Sequence, residues 1–159
     1  MSQTLDVNIL LDASNADAPE HERAVALLRH LAAGPELVVV LWPTVMSYLR
    51  ISTHPSVFSR PLAHTEAVAN IEAFVSRPHV RLAAESPRFW EVYRHLAHDV
   101  PPRGNGVLDA HLVALMVDHG VDVMWSRDRD FRKYPGIVLR DPFADGFAAG
   151  FAPARAGDS

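Results

Sequence analysis

The sequence predicts an α/β fold in which a central, mostly parallel, twisted sheet lies between two layers of helices. Short runs rich in valine and leucine, such as "ELVVVL" and "VDVMW", have the length and composition of buried strands. Longer segments carry apolar residues at helical spacing and end at glycine. The two kinds of segment alternate along the 159 residues. This alternation is typical of right-handed βαβ units and of a three-layer α/β/α domain.

The first half of the chain predicts two strands and three helices. Residues 5–11 are apolar apart from Asp6 and Asn8, and they suit a buried strand. Leucines at helical spacing, followed by Gly34, indicate a helix after this strand. A later helix, over residues 44–53, should end before Pro55. The elements after the first strand are a helix, a strand and two helices, in residues 15–34, 36–41, 44–53 and 63–78.

The second half predicts three strands and two helices. Ser86 and Pro87 form a good N-cap and first-turn pair for a helix over residues 88–99. A second helix over residues 107–120 places four apolar side chains on one face, namely Leu108, Leu112, Leu115 and Met116. The strands are residues 79–83, 121–125 and 136–141. Trp42, Trp90 and Trp125 fall in apolar contexts and are expected in the core or in a subunit contact.

We expect one domain over residues 1–143, followed by a flexible tail over residues 144–159. The tail is rich in glycine and alanine and has little apolar periodicity. The alternative is that Phe147 and Phe151, four residues apart, dock on a partner subunit.

Composition excludes several classes of protein. The chain has no cysteine, which excludes disulfides, thiolate catalysis and cysteine-rich zinc sites. Its first residues lack the features of a secretory signal, and no apolar run approaches the ~20 residues that cross a bilayer. We therefore expect a cytoplasmic protein with no membrane contact. The net charge of −4 argues against a protein that coats nucleic acid, yet it is compatible with an acidic site that binds a divalent cation.

Four aspartates are predicted to meet at one edge of the sheet. Asp6 lies in the first strand, Asp109 opens a helix, and Asp128 and Asp130 follow a strand in the loop "SRDRDF". Ligands of open parallel sheets collect beyond the carboxyl ends of the strands. Taken singly, each acid also has a purely structural explanation. Asp6 would form a salt bridge or cap a neighbouring loop, and Asp109 would be a first-turn acid favoured by the helix dipole. Asp128 and Asp130 would belong to a solvent-exposed turn of alternating charges.

Carboxylates that converge repel one another, so such a cluster either protonates in part or binds a cation. At ~4 Å and an effective dielectric of about 20, one pair of them costs roughly 4 kcal/mol. A site of three or four aspartates without histidine or thiolate suits Mg²⁺ or Mn²⁺ rather than Zn²⁺. Such an ion favours metal-dependent hydrolysis of a phosphodiester bond.

Several motifs in order resemble the PIN-domain ribonucleases, and within them the VapC-type toxins of bacterial, mycobacterial-like toxin–antitoxin systems. The motifs are "LDVNILLDA", "YLRISTHPSVFSRPLAHTEAVANIEAFVSRPHV", "GNGVLDAHLVALMVDHGVDV", "SRDRDF" and "PGIVLRDP". The resemblance covers about residues 4–143. It implies a Mg²⁺-dependent endoribonuclease, with Mn²⁺ as a substitute, that forms a homodimer and is restrained by a cognate antitoxin.

The resemblance also implies roles for individual residues. Asp6, Asp109 and Asp128 would bind the metal, and Asp130 would be a further ligand or would orient its loop. Asn8 would hold Asp6, and Ser126 would sit beside the acids. Four arginines near the acidic edge are candidates for binding RNA phosphates, with ion pairs to nearby aspartates as the alternative: Arg50, Arg103, Arg127 and Arg129.

One departure from the family pattern bears on activity. Many PIN domains carry a glutamate on the helix after the second strand, in a pattern like E-L-L-R. Here the stretch reads "SYLR", with Ser47 where that glutamate would stand. The absence of this glutamate motivates one competing hypothesis, a catalytically weakened interaction module of the same fold. A second competing hypothesis is a structure-specific DNA nuclease, which would act on a different class of substrate.

Overall fold

A computed structural model describes residues 1–144 and shows a five-stranded parallel sheet with helices on both faces. The strands are β1 (Gln3–Leu5), β2 (Val38–Leu41), β3 (Val80–Ala83), β4 (Val123–Trp125) and β5 (Val138–Arg140). Their order across the sheet is β3-β2-β1-β4-β5, and every pairing is parallel. The predicted three-layer α/β/α class is confirmed.

The helices fill the connections between strands. They are α1 (Val7–Ser14), α2 (His21–Ala33), α3 (Trp42–Ser52), α4 (His64–Val75), α5 (Phe89–Asp99) and α6 (Gly106–Asp118), with a short 3₁₀ turn at Arg129–Lys133. Gly34 follows α2 with a φ of 73°, a left-handed conformation that glycine adopts without steric cost. None of the helices in the described residues is long and apolar enough to cross a membrane.

Two apolar clusters, one on each face of the sheet, form the core. In β2, Val38 and Val40 join the cluster beneath α1 to α4, whereas Val39 and Leu41 join the cluster beneath α5 and α6. Successive side chains of a strand point to opposite faces, so one short apolar strand serves both layers. This explains why the strands read as continuous apolar runs.

The predicted strand over residues 5–11 is wrong beyond its first residue. β1 ends at Leu5, Asp6 takes the extended N-cap position, and α1 begins at Val7. The neighbouring strands β2 and β4 end at Leu41 and Trp125, so a longer β1 would have no backbone partners at this edge. A helix provides those hydrogen bonds internally. An apolar run does not by itself distinguish the two structures.

Two expectations about the second half are wrong in detail. Ser86 is not the N-cap residue of α5, which begins at Phe89 after Arg88, although its hydroxyl accepts from the Arg88 amide at 3.3 Å just before the helix. Leu108 is 66% exposed, whereas the predicted Leu115 and Met116 are buried, because the packed face of α6 also includes Ala110 and Val113. Of the tryptophans, Trp125 is buried in the core as expected, whereas Trp42 and Trp90 are 42% and 66% exposed, and a subunit contact for these two stays a prediction. Phe147 and Phe151 lie outside the described residues, so their docking stays a prediction.

Candidate acidic site

The candidate site begins where β1 and β4 end side by side. Leu5 pairs with Trp125 in the sheet, so the next residues, Asp6 and Ser126, emerge together at the carboxyl edge. The Asp6 backbone amide donates to the Trp125 carbonyl at 2.9 Å. The Ser126 hydroxyl donates to Asp6 Oδ2 at 2.8 Å. Strand register thus joins two residues that are 120 positions apart.

Asp6 is a buried carboxylate with an organised set of donors. It is only 6% exposed, and Asn8 Nδ2 also donates to its Oδ2, at 3.3 Å. Burial raises the pKa of Asp6, and hydrogen bonds from Ser126, Asn8 and the backbone amides of Val7 and Asn8 partly offset that rise. The expected support by Asn8 and Ser126 is therefore present in the structure.

Ser126 also organises the loop that carries two further acids. The Asp128 amide donates to Ser126 Oγ at 3.0 Å, and the Asp130 amide donates to Asp128 Oδ1 at 2.9 Å. Asp128 consequently caps the 3₁₀ turn at Arg129–Lys133. Both bonds are local, and they hold the loop in a conformation that presents its carboxylates at the edge of the sheet.

Asp109, Asp128 and Asp130 form a cluster that we call the acidic triad. Each places one carboxylate oxygen within 4.8 Å of the others. Burial raises the pKa of Asp109 most, the charge of Asp128 raises it further, and Lys133 opposes both. Oxygen donors at these separations fit a hard divalent cation such as Mg²⁺ or Mn²⁺.

The predicted metal set overlaps with the triad but is not identical to it. The sequence led to Asp6, Asp109 and Asp128, with Asp130 as a further ligand or as an orienting residue. The structure groups Asp130 with Asp109 and Asp128, and Asp6 lies outside that group. The charge of Asp6 still raises the pKa of Asp109, so the two carboxylates belong to one electrostatic environment.

Two residues near the site were missed from the sequence. Asp12 in α1 has a buried Oδ2 with no hydrogen-bond partner among the described residues, and burial raises its pKa. The hydroxyl of Tyr134 is likewise buried without a partner among those residues, and its pKa is raised by burial and then by the charge of Asp109. Had residues 7–14 been predicted as a helix, the spacing of Asn8 and Asp12 would have placed both on one face.

The candidate arginines differ in their surroundings. Arg127 forms an ion pair with Asp12, Nη2 to Oδ2 3.6 Å, and its guanidinium lies 5.5 Å from the centre of the Phe143 ring. Arg129 is exposed and has no ion pair within residues 1–144. Arg50 and Arg103 are exposed as well. Ser47 lies half-buried in the second turn of α3 and is not part of the acidic triad.

Comparisons with known proteins agree on one family. The PIN domain family model matches residues 4–137. Ribonuclease VapC48 of Mycobacterium tuberculosis is 54% identical over 144 residues, which cover 91% of this chain and 99% of that protein.

Solved structures share the fold at low sequence identity. M. tuberculosis VapC20, described as a Sarcin-Ricin loop cleaving toxin, superposes with a TM-score of 0.63 at 19% identity, over 87% of this chain and 99% of that one. A toxin–antitoxin complex from Klebsiella pneumoniae superposes with a TM-score of 0.56 at 17% identity, over 89% and 98% of the two chains.

Proposed function

Because this chain belongs to the PIN-domain family and, within it, to the VapC ribonucleases, we propose that it is a metal-dependent endoribonuclease and the toxin of a toxin–antitoxin pair. The observation that carries the metal-dependent chemistry is the acidic triad of Asp109, Asp128 and Asp130 at the carboxyl edge of a parallel sheet. Mutual repulsion makes such a group unfavourable without a cation. The chain also lacks cysteine, so the triad cannot belong to a thiolate site.

In this proposal the acidic triad holds Mg²⁺ or Mn²⁺. Such an ion, when bound, activates water and neutralises charge on the phosphate, which is the chemistry of phosphodiester hydrolysis. Asp6 adds negative charge beside the triad, and its bonds to Ser126 and Asn8 fix the direction of its carboxylate. In this proposal Asp6 contributes charge beside the ion and is not one of its three ligands.

The side chains of the site divide the remaining work. Asp130 is exposed, so its carboxylate is open to solvent, and in the proposal it is one of the three ligands of the ion. The carboxylates form no covalent intermediate. The exposed guanidinium groups of Arg129, Arg103 and Arg50 are the candidates for contacts with RNA phosphates.

The protein partners of this chain are also part of the proposal. The K. pneumoniae neighbour was solved as a toxin–antitoxin complex, which supports a cognate antitoxin here. Homodimerisation and a cytoplasmic location remain predictions from the sequence. An antitoxin would restrain the enzyme by occupying or distorting the acidic edge, where positively charged side chains would find complementary charge.

The proposal is tested by cleavage of labelled RNA with Mg²⁺, Mn²⁺ or EDTA. We expect cleavage only with a divalent ion, and its loss in Asp109→Asn and Asp128→Asn. Asp122→Asn is the matched control, because Asp122 is an exposed aspartate at the opposite end of β4. Cleavage in EDTA, or full activity in both triad variants, would refute the mechanism. Flap DNA in parallel reactions tests the DNA-nuclease alternative, and absence of all cleavage supports the weakened module.

A further inference from the structure

The loop that carries two of the triad acids is attached to α1 at two separate points. Ser126 bonds to Asp6 at the N-cap of α1, and the next residue, Arg127, pairs with Asp12 in the last turn of the same helix. These two attachment points are six positions apart, which corresponds to about 9 Å along a helix. Two attachments at that distance prevent the loop from rotating about either one.

Asp12 has few other ways to satisfy its charge. Its side chain is 16% exposed, and its Oδ2 has no hydrogen-bond partner among the described residues. Arg127 is the cation that opposes the effects of burial and of the charges of Glu20 and Asp6 on the pKa of Asp12. A buried carboxylate is costly unless it is paired, so Asp12 favours positions of the loop that keep Arg127 close.

A third group limits the movement of Arg127 from the other side. Its guanidinium lies over the ring of Phe143, which packs against the core beneath α1 to α4. The Phe143 backbone is itself fixed, since its amide donates to Asp141 Oδ1 at 2.9 Å and its carbonyl accepts from Arg23 Nη1. Arg127 is therefore held between a half-buried carboxylate and an anchored aromatic ring.

We propose that Asp12 and Arg127 are positioning residues that keep the carboxylate of Asp128 within reach of Asp109, and that Arg127 is not a ligand of RNA phosphate. The inference rests on the proposed function, because it concerns the metal set of that same site. Asp128 follows Arg127 directly in the chain, so the side chain of Arg127 fixes the backbone from which Asp128 projects. Partners that orient metal ligands typically contribute about 10- to 100-fold to metal affinity.

The direction in which Arg127→Met changes the affinity for Mn²⁺ distinguishes a positioning role of Arg127 from two alternative roles. If Arg127 acted only as a nearby positive charge, its removal would tighten binding of a cation at the acidic triad. If it bound only RNA phosphate, Mn²⁺ affinity without RNA would not weaken. A positioning role predicts the opposite: Arg127→Met weakens Mn²⁺ binding although it removes a repelling charge.

The experiment is a Mn²⁺ titration of the full chain by calorimetry, without RNA. We expect the Kd of Arg127→Met to rise about tenfold over wild type. Arg129→Met, which removes from the same loop a charge that has no ion pair within residues 1–144, should leave the Kd unchanged or lower it. Arg127→Lys, which keeps the charge opposite Asp12, should recover part of the loss. Unchanged or tighter binding in Arg127→Met overturns the inference.

Asp12→Asn gives a second, independent measurement, which also applies if Arg127→Met does not fold. We expect a higher Kd for Mn²⁺ in Asp12→Asn than in Glu20→Gln, since Glu20 is an acid near Asp12 that does not contact the loop. The Kd of the double variant Asp12→Asn/Arg127→Met for Mn²⁺ should be no higher than the higher of the two single-variant values, because both changes break the same contact. Equal losses in Asp12→Asn and Glu20→Gln, or simply additive losses, overturn the inference.

Different results contradict the proposed function and the positioning role. Wild type that binds Mn²⁺ but cuts no RNA contradicts the proposed function and leaves the positioning test valid. Wild type that cuts RNA while Arg127→Met keeps its Mn²⁺ affinity contradicts the positioning role alone. Wild type without Mn²⁺ binding contradicts both.

Discussion

We expect the variant Asp109→Asn to be more stable than wild type without metal and to gain little stability when metal is added. Asp109 places an oxygen within 4.8 Å of both Asp128 and Asp130, and the charge of Asp128 raises its pKa after burial does. At that separation each pair costs about 0.9 kcal/mol in water and about 3.5 kcal/mol at an effective dielectric of 20. Asp130 is exposed, so solvent screening brings the cost toward the lower value.

The two repulsions together amount to about 2 kcal/mol, and the lost attraction between Asp109 and Lys133 removes part of this. We therefore expect Asp109→Asn to raise the free energy of unfolding in EDTA by about 1 kcal/mol, or Tm by about 2–4 °C. Mn²⁺ at 100 times its Kd should stabilise wild type by about 2.7 kcal/mol, and the variant by much less. The order of stability should consequently reverse when metal is added.

The assay is thermal unfolding followed by circular dichroism, in EDTA and across a Mn²⁺ titration. Asp122→Asn serves as the matched control, with no expected change in either condition. A Tm for Asp109→Asn below that of wild type in EDTA would show that the carboxylate is stabilised by its surroundings. An equal response of both proteins to Mn²⁺ would show that Asp109 is not a ligand.

Three further outcomes are expected. The raised pKa of Asp109 means that its protonated form favours the fold, and this stability is lost as the pH rises through that pKa. The Tm difference between wild type and Asp109→Asn in EDTA should therefore shrink as the pH falls from neutral toward that pKa. Ser126→Ala removes a buried donor from Asp6 and should cost about 1–3 kcal/mol in urea unfolding, with weaker Mn²⁺ binding; a loss of stability alone would contradict its role at the site. Asp118→Asn disrupts the bonds from Ser86 and should cost about 1–3 kcal/mol without changing Mn²⁺ affinity, as calorimetry can check.

The Asp118 prediction carries a pH dependence of opposite sign. Burial raises the pKa of Asp118, but hydrogen bonds from the Ser86 side chain and backbone and from Arg88 outweigh it, so the net pKa lies below the ordinary 3.8. The ionised form thus stabilises the fold, and this contribution is present above pH 3.8 and is lost as the pH falls through the lowered pKa. Acid unfolding of Asp118→Asn should depend less on pH in that range than that of wild type.

The sequence by itself determined the class of fold and the edge at which the acids meet. Apolar runs as short and as rich in valine as those of β2 and β4 favour strands covered on both faces, and their alternation with amphipathic segments implies a parallel sheet. The carboxyl ends of parallel strands share one edge, so Asp6 and Asp128 could be assigned to it without coordinates. The ordered motifs then supplied the family.

Only the tertiary structure decided which side chains touch. It ended β1 at Leu5, exposed Leu108, and placed Asp130 rather than Asp6 in the acidic triad. It also paired Asp12 with Arg127, 115 positions further along the chain. The physical reason is that periodicity describes neighbours along one element. Contacts between elements depend instead on strand register and on the residue at which neighbouring strands end. Neither can be inferred from the sequence of a single segment.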